Sequence, residues 1–119
     1  MNNLGLCYQH GDGVAQKKKK AFELFQRAAN EENADAIRNL GLCYFHGLGV
    51  VENKKKAFEL YERSAQLNHP LGLYSLGVSY ECGDATTKDL KRAIELYKRS
   101  AALGCSQAVD ALRSLHVIR

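Results

Sequence analysis

Residues 39–50 read NLGLCYFHGLGV, and residues 3–14 carry nearly the same string, NLGLCYQHGDGV. A third copy that is less similar, SLGVSYECGDAT, occupies residues 75–86. The Leu-Gly pairs of the three strings are 36 residues apart. A second block keeps the same step and reads AFELFQRAA at 21–29, AFELYERSA at 57–65 and AIELYKRSA at 93–101. Self-similarity at a fixed period of this size is the signature of a repeat architecture.

Each repeat is predicted to form two helices that fold back on one another. In the second copy Ile37, Leu40, Gly41 and Tyr44 follow the i, i+3, i+4, i+7 spacing of one helix face, and residues 53–66 carry a second helical stripe. The intervening HGLGV contains glycines, which adopt positive φ readily and can end the first helix. We expect the apolar Val50 to fill the gap between the two helices.

Glycine recurs inside the predicted first helices, at Gly5, Gly41 and Gly77. Because glycine in a helix costs about 1 kcal/mol relative to alanine, its recurrence predicts a contact too close for a Cβ atom. The matching small residues of the second helix are expected to be Ala21, Ala57 and Ala93. A single hairpin cannot cover its own apolar face, so the copies should stack, each touching only its neighbours.

The period predicts an all-α fold, an α-solenoid of stacked helix-turn-helix repeats that forms one domain over 1–119, and we expect the solenoid to be right-handed. We place repeat 1 at about 1–33, repeat 2 at 34–69, repeat 3 at 70–105 and a C-terminal capping helix at 106–117. Repeat 1 lacks the opening turn of its first helix, so we expect either an array cut from a longer one or a naturally short protein. Arg113 stands where the other copies have the close-packing glycine, as expected of a closing element. In the third copy Ala85 and Thr86 replace the second glycine and the valine, so we expect a looser or differently shaped turn.

The pattern L-G-x-x-Y-x-x-G-x-G-V, followed by K-x-x-x-A-(F/I)-E-L-(F/Y), resembles the Sel-1-like repeat family over residues 3–113. That family is a relative of the tetratricopeptide repeat with a longer loop between the helices. The resemblance implies an adaptor that holds other proteins together.

In related tetratricopeptide arrays the first helices line a concave groove. The resemblance therefore predicts a groove in this chain, lined by three columns, each column being the residues at equivalent positions of the three repeats. One apolar row flanked by polar rows suits an extended peptide or a partner helix, since asparagine can both donate to and accept from a backbone. The apolar row could instead be core, because helix phase fixes side-chain direction only loosely. The columns are Asn3, Asn39 and Ser75, then Leu6, Leu42 and Val78, then Gln9, Phe45 and Glu81.

Basic residues recur at the start of each predicted second helix. Lysine there opposes the helix dipole, so a basic edge along the stack is expected, partly offset by glutamates one turn later. It could dock an acidic protein segment or, less readily, RNA or anionic lipid, or it could simply keep the protein soluble. The residues are Lys17, Lys18, Lys19, Lys20, Lys54, Lys55, Lys56, Lys88, Lys91 and Arg92. In the sequence no aromatic residues alternate with these lysines, which disfavours binding of single-stranded nucleic acid.

The four cysteines, Cys7, Cys43, Cys82 and Cys105, lack metal-ligand spacing and are interpreted as free, buried thiols in a reducing compartment. His10, His46 and Cys82 share a column, but stacked helices lie too far apart for their side chains to converge on one zinc ion. We therefore predict no metal site, no disulfide and no cofactor. His69-Pro70 is interpreted as structural, because proline suits the first turn of a helix.

The chain has 119 residues, of which 45% are hydrophobic and 25% charged, with a net charge of +4. This composition, with no signal-peptide pattern and no apolar run of membrane length, predicts a soluble cytoplasmic protein. No catalytic motif is present, so we predict that the chain is not an enzyme and has no catalytic residues. The first hypothesis is a scaffold that binds a protein partner in the groove. The alternatives are a purely structural segment of a longer array, with an open N-terminal face that could self-associate, and RNA or acidic-partner docking through the basic edge.

Overall fold

The computed structural model describes residues 15–115, with side chains from Lys17 onwards. This part of the chain contains six helices and no strand, as the all-α prediction required. The helices are α1 (Ala15–Ala29), α2 (Ala34–His46), α3 (Lys54–Gln66), α4 (Pro70–Cys82), α5 (Leu90–Ala102) and α6 (Ser106–Ser114). Each helix packs on the next one along the chain, and α2 also touches α4. The result is a stack of helix pairs, and the predicted α-solenoid is confirmed.

Short polar side chains cap the starts of α3 and α5, and glycines mark the ends of α2 and α4. The side chains of Asn53 and Asp89 accept hydrogen bonds from the amides of the third residue onward, at 3.0 and 3.1 Å, and so cap α3 and α5. Gly47 and Gly83 end α2 and α4 in the left-handed conformation, with φ of 68° and 74°. His69 precedes Pro70 at the start of α4, the structural role predicted for this pair.

In the second and third repeats, a backbone hydrogen bond closes the long loop between the two helices. The amide of Asn53 donates to the carbonyl of Tyr44 at 2.7 Å, and Asp89 donates to Tyr80 at 2.9 Å. Val50 is partly buried and packs against a core cluster that residues of α1 and α2 form with Leu60 of α3. In the third copy Ala85 takes φ of 58°, close to the 75° of Gly49 in the second. The third turn therefore keeps the shape of the second, and the expectation of a different turn is wrong.

The helical glycines mark close approaches, but the neighbour is a tyrosine ring. A Cβ atom built on Gly41 would lie 2.7 Å from Cε1 of Tyr61, and one on Gly77 would lie 2.7 Å from Cε1 of Tyr97. Ala57 approaches Gly41 through its carbonyl oxygen, 3.4 Å from the same Cβ position. The expected match between glycine and the small alanine is thus corrected, because the aromatic ring one turn further along α3 fills the space against the glycine.

Buried hydroxyl groups join the two helices of one repeat, and aromatic rings join successive repeats. The Ser64 hydroxyl donates to the carbonyl of Ala34 at 2.9 Å, and the Ser100 hydroxyl donates to the carbonyl of Pro70 at 2.6 Å. Both serines are fully buried. Phe22 also meets Tyr44 edge to face at 5.5 Å, and the equivalent pair one repeat later meets at 5.6 Å. The hydroxyl bonds therefore recur within the second and third repeats, and the ring contacts recur between successive repeats.

None of the helices within residues 15–115 has the length and apolar character that a membrane span requires.

Candidate functional site

A cavity of about 170 Å³ lies between α2 and α4, the first helices of successive repeats. Its walls are largely apolar, and four of the residues predicted to line a groove contribute to them. Two of the four, Leu42 and Val78, occupy equivalent positions one repeat apart, whereas Phe45 and Ser75 come from different columns. The lining residues are Arg38, Leu42, Phe45, His46, Tyr61, Tyr74, Ser75, Val78 and Ser79.

The apolar side chains of the predicted groove are partly exposed to solvent. Leu42, Phe45 and Val78 are half-buried, so each keeps surface available within the cavity. Such partly exposed side chains could contact an apolar side chain of another molecule. Whether they do so remains a prediction.

The polar part of the predicted groove differs from the expectation. Asn39 is only 5% exposed and does not line the cavity, so its amide has no surface to offer a peptide. Ser75 lines the cavity but is 6% exposed, and its hydroxyl oxygen accepts a hydrogen bond from Nε of Arg38 at 3.0 Å. Helix phase explains the difference, because a step of one residue turns a side chain by roughly 100° about the helix axis.

Glu81 is engaged within the chain. The Tyr97 hydroxyl donates to Oε1 of Glu81 at 2.6 Å, and burial together with this hydrogen bond raises the pKa of Tyr97. Glu81 does not line the cavity between α2 and α4. The remaining predicted groove residues, Asn3, Leu6 and Gln9, lie outside the described residues.

Five residues with polar groups line the cavity without having been predicted there: Arg38, His46, Tyr61, Tyr74 and Ser79. Burial lowers the pKa of Arg38, while the nearby Tyr61 and Asp35 act in the opposite direction, and the guanidinium stays protonated at neutral pH. Burial raises the pKa of Tyr61 to about 12, so its hydroxyl remains a hydrogen-bond donor at neutral pH. The sequence did contain a signal for Arg38, because its position is not conserved between the repeats of this chain. The equivalent residues are a tyrosine at 74 and an aspartate at 110.

The basic-edge residues all fall within the described part of the chain, and nine of the ten are exposed, Lys18 being half-buried. Aromatic rings lie beside two of the cations. Nζ of Lys54 is 5.2 Å from the centre of the Phe45 ring, and the Arg92 guanidinium is 5.4 Å from the centre of the Tyr80 ring. The sequence alone suggested that no rings accompany the lysines, and folding corrects this because the rings come from the preceding helix.

The described cysteines are free, but only two of them are buried. Burial raises the pKa of the Cys43 thiol to about 12, and Cys105 is buried beside α6. Cys82 is exposed at the end of α4, which corrects the prediction of a buried thiol there. Within residues 15–115, His, Cys, Asp and Glu side chains nowhere gather in threes that could hold a metal ion. Cys7 and His10 lie outside the described residues.

The relatives of the chain are proteins of known repeat architecture. The Sel1 repeat family matches residues 1–33, 34–69 and 70–105. A Sel1 repeat protein from Oxalobacter formigenes is 34% identical, with a TM-score of 0.81 over 90% of this chain and 44% of its own length. A protective antigen of uropathogenic Escherichia coli with the SLR fold is 32% identical, with a TM-score of 0.82 over 93% of this chain and 24% of its own.

The cysteine-rich protein B of Helicobacter pylori is 27% identical, with a TM-score of 0.73 over 80% of this chain and 71% of its own length. The chain thus spans less than half of the Oxalobacter and Escherichia proteins. A comparison with curated proteins gives no significant match. Three family matches in register and two solved relatives above 30% identity lead to one conclusion: the chain belongs to the Sel1 repeat family.

Proposed function

We propose that the chain is a protein-binding scaffold without catalytic activity, and that a partner segment inserts an apolar side chain between α2 and α4. Sel1 repeat proteins are generally protein–protein interaction scaffolds. The observation that carries the proposal for this chain is the cavity itself, with half-buried Leu42 and Phe45 on one wall and Val78 on the other. Partly exposed apolar side chains that converge from two helices favour binding of an amphipathic segment.

The position of the cavity suits a segment laid across successive repeats. Its two walls come from equivalent helices one repeat apart, so an extended peptide or a helix could continue along the same surface. Its apolar character supplies affinity through burial of the partner's side chain, at roughly 25 cal/mol per Å² of apolar surface removed from water.

The test is titration of the isotope-labelled chain with a peptide selected for binding from a displayed library. We expect the amide signals of Leu42, Phe45 and Val78 to shift, and Leu42→Glu to weaken binding more than tenfold because it places a charge in an apolar contact. Leu67→Glu is the matched control, since Leu67 is 44% exposed and lies away from the cavity. Shifts confined to the basic edge, or equal affinity of the Leu42→Glu variant, would contradict this site.

A second candidate role, a structural segment of a longer array, is favoured by the short span of the chain against two relatives, 44% and 24% of their lengths. In that case the isolated chain would select no peptide, and its binding surfaces would lie in other repeats. A display selection that returns no enriched segment would support this alternative.

A third candidate role is docking of RNA or an acidic segment on the basic edge, and the cation–ring pairs at Lys54 and Arg92 are the observation in its favour. Binding of this kind weakens steeply as salt rises. Affinity for a single-stranded RNA that does not change between low and high salt would exclude it.

A further inference from the structure

The third repeat shows how the tyrosine of the second helix binds a carboxylate. The hydroxyl of Tyr97, on α5, donates to Oε1 of Glu81, on α4, at 2.6 Å. This distance is typical of a strong hydrogen bond to an ionised oxygen. The ring of Tyr74 lies beside the same tyrosine, with the ring centres 5.8 Å apart.

The second repeat has the same tyrosine without the carboxylate. Tyr61 corresponds to Tyr97, but Phe45 stands where Glu81 stands one repeat later. Among the described residues, none accepts a hydrogen bond from the Tyr61 hydroxyl. The residue that corresponds to Tyr74 is Arg38, so a cation replaces an aromatic ring beside the tyrosine.

The terminal N–H groups of the Arg38 guanidinium have no carboxylate partner within the described part of the chain. Its Nε atom is committed to Ser75, at 3.0 Å, but its two terminal nitrogens make no ion pair with any residue of the described part. The carboxylate of Asp35, one turn earlier on α2, also attracts the guanidinium, but Asp35 Oδ1 lies 3.4 Å from Nε2 of His69. A guanidinium presents five donors and no acceptor, and it prefers a carboxylate as a two-pronged partner.

We propose that the cavity between α2 and α4 binds a glutamate side chain of the partner segment, whose carboxylate accepts hydrogen bonds from the Arg38 guanidinium and the Tyr61 hydroxyl. The apolar stem of this glutamate, and an apolar residue next to it, lie against Leu42, Phe45 and Val78. The incoming carboxylate takes the place in the second repeat that Glu81 holds in the third. This inference rests on the proposed protein-binding function and adds the chemistry of the occupant.

The experiment begins with a display selection for binding to the chain. The random segments are fused at both ends to the display protein, so that no free terminal carboxylate is present. The most enriched segment is then made as a peptide blocked at both ends, in a glutamate form and a glutamine form. Affinities are measured by calorimetry for the wild-type chain, Arg38→Gln and Tyr61→Phe. Arg63→Gln is the matched control, because it removes the same charge from an exposed site outside the cavity.

We expect the selected segments to share an acidic residue beside an apolar one. The glutamine peptide should bind the wild-type chain and Arg63→Gln about tenfold more weakly than the glutamate peptide, as a lost charge-assisted hydrogen bond predicts. For Arg38→Gln the two peptides should bind within about twofold of each other. Tyr61→Phe should reduce the preference for glutamate by a smaller factor, and its thermal unfolding curve checks that the ring still packs against Gly41.

The two levels of the proposal fail differently. In one outcome, Leu42→Glu abolishes binding, but the glutamate and glutamine peptides bind the wild-type chain with equal affinity. That result would overturn the inference and leave the proposed function standing. Peptides that bind equally well to Leu42→Glu, or a library that yields none, would overturn both.

Discussion

The contact between Gly41 and Tyr61 makes a quantitative prediction about helix spacing. In Gly41→Ala the new Cβ would lie 2.7 Å from Cε1 and 2.9 Å from Cδ1 of the Tyr61 ring. Carbon atoms in favourable contact are roughly 3.5–4.0 Å apart. Since Tyr61 is only 4% exposed, its ring cannot swing into solvent and must displace packed neighbours.

The magnitude follows from two opposing effects. Overpacking of a well-filled core costs about 1–3 kcal/mol, whereas alanine gains about 1 kcal/mol over glycine from helix propensity. We therefore expect Gly41→Ala to lower the free energy of unfolding by about 1 kcal/mol, measured by urea unfolding followed with circular dichroism.

The matched control is the same substitution in a Tyr61→Leu background, where the ring edge is gone. There Gly41→Ala should be neutral or should stabilise the protein by up to about 1 kcal/mol. If Gly41→Ala stabilises the wild-type chain as much as the Tyr61→Leu chain, the ring does not limit the approach of the helices, and the reasoning is refuted.

Three further predictions concern the turns, the packing of two helices within a repeat, and pH. Ala85→Gly should stabilise the chain by about 1 kcal/mol, because Ala85 has φ of 58° and an L-residue in the left-handed region is disfavoured by roughly 1–2 kcal/mol; an unchanged urea midpoint would contradict this. Ser100→Ala should destabilise it by about 1 kcal/mol through loss of the 2.6 Å bond to the Pro70 carbonyl, and an unaltered midpoint would show that this bond contributes nothing. Burial lowers the pKa of His69 below its ordinary value of 6.5, although the attraction of Asp35 partly opposes this. The neutral form therefore favours the folded state, so stability should be fully present above about pH 6.5 and fall as the pH drops through the lowered pKa; His69→Gln should remove that part of the pH dependence in unfolding measured across this range.

Much of the fold could be predicted from the sequence because the repeat fixes the register of every element. The spacing of Gly41 and Gly77 identified the close helix contact, and HGLGV identified the end of α2 at His46. The residue opposite the glycine was missed, because the axial offset between two helices decides whether Ala57 or Tyr61 meets it. A periodic pattern defines the faces of a helix but not that offset.

The candidate site was less predictable than the fold. Leu42, Phe45 and Val78 follow from counting outward from the Leu-Gly pair, and the structure does place them at one cavity. Asn39 is buried and Arg38 faces the cavity, since adjacent residues of a helix point in very different directions. Arg38 departs from the repeat pattern, and the departures in a repeat sequence carry information that the shared positions cannot.

The hydrogen bond that closes each long loop has a consequence for how such arrays diverge. The amide at Asn53 or Asp89 is tied to the last turn of the preceding helix, at Tyr44 or Tyr80. The residues between them form a loop that is fixed at both ends. Substitutions inside this loop therefore leave the position at which the next helix begins unchanged. Ala85 in place of a glycine illustrates this tolerance. Loop sequences can therefore diverge between repeats without changing the pitch of the superhelix.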